Sequence, residues 1–77
     1  MTVEQLKNQL QEKNVPEDMY SLLKGGYPNE AFCLINTEDG WEVYYSERGQ
    51  KSGCRQFSSE SEACEYMERK LMKYARK

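Results

Sequence analysis

The residue pattern predicts an α+β domain, an antiparallel sheet of three or four strands with an N-terminal and a C-terminal helix on one face. Three observations carry that expectation. Apolar residues recur at helical spacing near both ends of the chain, the middle alternates with period two, and turn-forming clusters separate the segments. With 77 residues there is room for one domain and one core, spanning residues 1–77. A chain of this size buries only about 60–65% of its unfolded surface. Nine aromatics among a 31% charged composition fit a thin core built from large side chains.

Thr2 followed by Gln5 is a capping-box pattern, and Val3, Leu6 and Leu10 form one stripe, predicting a helix over 3–13 that Val15-Pro16 ends. Tyr20, Leu22 and Leu23 suit either a strand or a helical turn. A short strand ending at Gly25-Gly26 is the preferred reading, with Pro28-Asn29 completing a connector. Ala31–Ile35 and Trp41–Tyr45 flank the turn formers Asn36–Gly40 and read as an antiparallel hairpin. Alternation places Trp41, Val43 and Tyr45 on the core face and Glu42, Tyr44 and Ser46 toward solvent or a partner. Residues 49–53 read as a loop, Cys54–Phe57 as a third meander strand. Ser58 or Ser59 then caps a final helix, whose stripe is Ala63, Met67, Leu71 and Tyr74 with Tyr66 beside it.

Charge is unevenly distributed. Residues 17–47 hold seven acids against Lys24 alone, a net −6 within an overall −2. In residues 60–77 the acids precede the bases, an order that complements a helix dipole. No dipole explains the acidic middle, and a surface so biased attracts basic partners and repels nucleic acid.

Several chemistries are excluded. The chain has no histidine, so Ser/His/Asp and Cys/His nucleophile arrangements cannot be built. Its glycines are too sparse to cradle phosphates, and Asn36–Gly40 lacks the spacing of a calcium loop. Cys33, Cys54 and Cys64 lie far apart with no C-x-x-C, so they read as reduced thiols, with no metal site and no cofactor. No apolar run suits a membrane span or a secretory signal, and a cytoplasmic location is expected. These absences point to a binding module, not an enzyme.

The stretch Gly40-Trp-Glu-Val-Tyr-Tyr-Ser-Glu-Arg-Gly49, followed by Phe57-Ser-Ser-Glu60 and Glu62-Ala-Cys-Glu-Tyr66, resembles small immunity proteins of bacterial polymorphic-toxin and contact-dependent growth inhibition systems. Tyr20-Ser-Leu and Ala31-Phe-Cys-Leu extend the resemblance over most of residues 15–72. It implies a cytosolic protein that neutralises a cognate toxin by tight binding, without carrying over contact residues. Many such toxins are basic nucleases, which an acidic, aromatic-studded face would suit. The expected anchor is Tyr44, ringed by Glu38, Asp39, Glu42 and Glu47, with Arg48 a further contact. Two other readings stand beside this one. Arg48, Lys51, Arg55 and the basic C-terminus could serve a nucleic-acid-associated or regulatory domain, and an exposed edge strand could pair two copies into a homodimer.

Overall fold

The computed structural model describes residues 1–26 and 28–75. Helix α1 (Val3–Glu12) opens with the predicted capping box: the Gln5 N–H donates to Thr2 Oγ1 at 3.2 Å, and the Thr2 N–H donates to Gln5 Oε1 at 2.9 Å. It stops where Asn14 turns left-handed at φ 59, letting the Val15 N–H reach the Leu10 carbonyl at 2.9 Å. Asparagine tolerates that conformation, and Val15 is then buried against the helix it leaves.

A single 3₁₀ turn (Glu17–Met19) leads into the short strand β1 (Tyr20–Leu22), the reading preferred from sequence. Strands β2 (Ala31–Thr37), β3 (Gly40–Glu47) and β4 (Gln50–Phe57) follow, then helix α2 (Glu60–Met72). The four strands lie in the order β1-β2-β3-β4, and β2–β3 and β3–β4 are antiparallel as expected. One expectation fails. β1 runs parallel to β2, with Tyr20 beside Phe32 and Leu22 beside Leu34, so the sheet is mixed. Hydrophobic pattern does not encode strand direction. Because β1 is only three residues long, the connector 23–30 suffices to carry the chain back to the start of β2.

The β3–β4 connection also differs from expectation. β4 begins at Gln50 instead of Cys54, because Arg48 and Gly49, at φ 51 and 76, form a two-residue hairpin turn with both central residues left-handed. Residues 50–53 therefore belong to the strand. Between the pairs Val43–Arg55 and Tyr45–Ser52, β4 takes three steps to β3's two, a bulge at which Gly53 adopts φ 59.

Both helices cover one face. Leu6 and Leu10 of α1, Ala63, Cys64, Met67 and Leu71 of α2, and Leu34 and Val43 of the sheet form one buried cluster with Val15. The helices are also joined at their starts, where the Val3 N–H donates to Glu60 Oε2 at 2.8 Å. Ser59 caps α2 through the Glu62 N–H at 3.2 Å, while the Glu62 carboxylate accepts from the hydroxyls of Ser58 and Ser59.

The opposite face is not wet. Ala31, Cys33, Tyr44 and Ser46 are buried there without helical cover, and Glu42 is 8% exposed. The Gly26 carbonyl meets this face, accepting from the Tyr44 hydroxyl.

Candidate functional site

The six residues expected to bind a partner do not form one patch. Glu38 and Asp39 are exposed at the β2–β3 turn, whereas Glu47 and Arg48 are exposed at the β3–β4 turn. The full length of β3 separates the two ends, roughly 25 Å of extended chain. Arg48 sits in the turn itself, not on a strand face.

Tyr44 lies on the outer face as alternation required, but it is only 1% exposed. Its hydroxyl donates to the Gly26 carbonyl at 2.7 Å, and Lys51 Nζ stands 4.5 Å from its ring centroid. Lys51 also reaches Glu42 at 3.6 Å, which holds that largely buried carboxylate in an ion pair. Tyr44 and Glu42 are thus parts of a fastened outer layer, and neither projects as an anchor.

A different group of acids converges. Ala31 pairs with Ser46, which brings Glu30 beside Glu47. Tyr20 pairs with Phe32 in parallel, so the turn Glu17–Met19 sits at the same end of the sheet. There Pro16, Asp18, Met19, Asn29, Glu30 and Tyr45 line a hollow of about 740 Å³. Tyr45 forms its aromatic wall and is buttressed by Phe32, ring centroids 4.9 Å apart. Partial burial, then the charges of Glu47 and Glu30, push the Tyr45 hydroxyl's pKa up. Among the described residues the one ion pair is Lys51–Glu42, leaving Asp18, Glu30 and Glu47 without a cation.

Such a site can do little covalent chemistry, but it suits a guanidinium or ammonium group. Carboxylates at its rim would neutralise the charge, and an aromatic wall would accept a cation against its face. Sequence reasoning chose Tyr44 over Tyr45 because alternation sent Tyr45 into the core. The acids at 17, 18 and 30 are visible by counting, but only the parallel register of β1 puts them at the same end of the sheet as Glu47.

The basic residues divide as well. Lys51 is held on the outer face, while Arg55 lies on the helix side, 5.7 Å from the Tyr66 ring that Lys70 also approaches at 5.4 Å. Arg76 and Lys77 of the basic C-terminus lie outside the described residues. No helix is long and apolar enough to cross a membrane among the described residues. No family model, curated protein or solved structure matches the chain.

Proposed function

We propose that the chain is a non-catalytic protein-binding module that neutralises a basic, nuclease-like toxin domain by occlusion, in the manner of the immunity proteins it resembles. The acidic hollow around Tyr45 carries this reading. It offers carboxylates without cations beside a buttressed aromatic ring, a recognition chemistry for an Arg or Lys side chain on a basic surface. Glu38 and Asp39, a strand-length away, would act only through long-range attraction.

The nucleic-acid reading asks Arg48, Lys51 and Arg55 to act together. They occupy a turn, the outer face and the helix side respectively, and Lys51 is engaged with Glu42, so the protein-binding reading is preferred.

The test is affinity capture of the tagged chain from its host lysate at moderate salt, followed by mass spectrometry. The expected result is one stoichiometric basic protein, lost when Asp18→Asn, Glu30→Gln and Glu47→Gln are combined and retained with Glu38→Gln plus Asp39→Asn. Recovery of salt-released nucleic acid, or a basic partner indifferent to the triple variant, would overturn it.

A further inference from the structure

The sheet ends on two unlike edges. β1 offers three residues, whereas β4 offers eight, every one of them exposed except Phe57. The Arg48-Gly49 turn makes Glu47–Gln50 a hydrogen-bonded pair, so the odd-numbered residues of β3 bond β4. Val43 and Trp41 thus hold Arg55 and Phe57, and Gln56 between them turns its N–H and C=O outward. No other segment bonds this edge among the described residues. β4 carries Lys51 and Arg55 and no acid. Lys51 is taken up by Glu42 on the outer face. Arg55 lies on the helix side, where it and Lys70 of α2 stand 5.7 and 5.4 Å from the Tyr66 ring, which packs on Phe57 at 5.3 Å. Both cations are exposed, and neither has a carboxylate at ion-pair distance among the described residues. The bulge at Gly53 divides the strand, so this positive cluster flanks the stretch 54–57.

We propose that residues 54–57 are a docking edge for an extended acidic segment of a partner protein, added as a fifth strand with its acids turned toward Arg55 and Lys70. Main-chain hydrogen bonds to the free edge supply the attraction, and the side-chain charges supply the selectivity. Cross-strand neighbours lie about 5 Å apart, near enough for a carboxylate on the added strand to meet the Arg55 guanidinium. Cations on an exposed edge discourage pairing with a like-charged copy, and the same cations favour an acidic strand. A nucleic acid fits less well. It has no alternating donors and acceptors to match Gln56, and the acids that dominate residues 17–47 repel a long polyanion. This edge does not depend on the toxin-binding reading, which draws on groups of the opposite charge.

The test titrates isotope-labelled protein with a capped Thr-Glu-Thr-Glu-Thr-Glu-Thr peptide and follows amide hydrogen exchange by NMR. Saturation below about 1 mM peptide is expected. Exchange at Gln56 should slow roughly 10-fold, while Arg55 and Phe57, already bonded to β3, stay unchanged. Combining Arg55→Gln with Lys70→Gln should weaken binding several-fold. The same peptide with Lys in place of Glu should not bind, a comparison that still decides should the double variant lose stability. Absence of saturable binding, or binding that leaves exchange at Gln56 unchanged, would overturn the proposal. So would slowing at Gln56 that rises with protein concentration alone, the mark of a second copy, or tighter binding of single-stranded oligothymidylate than of the acidic peptide.

Discussion

Gly40 begins β3 at φ 132 with the Phe57 carbonyl directly behind its α-carbon, where an added Cβ would lie 2.5 Å from the oxygen. Backbone on both sides leaves no flexible side chain to yield. Gly40→Ala should therefore destabilise the fold by about 2 kcal/mol or more, read as a lower urea midpoint at unchanged m-value. The buried thiols give a second expectation. Burial, then the Glu60 charge, push the Cys64 pKa from an ordinary 9.0 to about 11. A group raised on folding contributes stability below its unfolded pKa and loses it as pH climbs through the folded one. Stability should fall between pH 9.0 and about 11, with a shallower fall in Cys64→Ala whatever that variant's absolute stability. Tyr20, raised by burial and by Glu17, adds to the same slope from higher pH. The alternation along β3 was legible residue by residue: Val43 and Tyr44 do lie on opposite faces. That both faces would be buried was not, because alternation reports only which side a residue takes and not what lies against that side.

Among the elements, the β3–β4 hairpin depends on a diagonal. Lys51 pairs across the ladder with Ser46 yet extends past Tyr44 to Glu42, uniting three side chains of the outer face. With side-chain exposures of 34% for Lys51 and 11% for Glu42, the pair is too enclosed to be a free surface contact. Lys51→Met should cost roughly 1–2 kcal/mol, mainly by leaving Glu42 without its cation, and adding Glu42→Gln should recover part of the loss. A double-mutant cycle in urea measures the coupling; additive losses would place it at zero. The helices were the most readable elements, since caps and stripes are local signals. Thr2 and Gln5, Ser59 and Glu62, and the run Ala63, Met67, Leu71 each act within a few residues. The hairpin turn at Arg48-Gly49 was less visible because Arg rarely adopts a left-handed conformation and gives no turn signal of the Asn-Gly kind. Strand β1 was visible only as a short apolar stretch, and its parallel pairing was not encoded at all.

At the scale of the molecule, the net charge of −2 matters less than its placement. One end of the sheet gathers Glu17, Asp18, Glu30 and Glu47, the opposite turn carries Glu38 and Asp39, and α2 ends on Arg69 and Lys70. The acidic bias toward basic partners was legible by counting. The end on which it concentrates was not, because that requires the strand order. A partner held by this end should associate more slowly as salt screens the field, with the dissociation rate changing less.

The pairing of α1 with α2 has a consequence for how the chain is made. Residues 3 and 60 meet through the Val3–Glu60 hydrogen bond, so α1 leaves the ribosome well before its main packing partner, α2, is made. The β2–β3–β4 meander can close its local turns as it emerges, but Leu6 and Leu10 stay unsheltered until α2 is released. The buried cluster therefore forms only once α2 has emerged, and stalled nascent chains ending before residue 60 should remain protease-sensitive throughout α1.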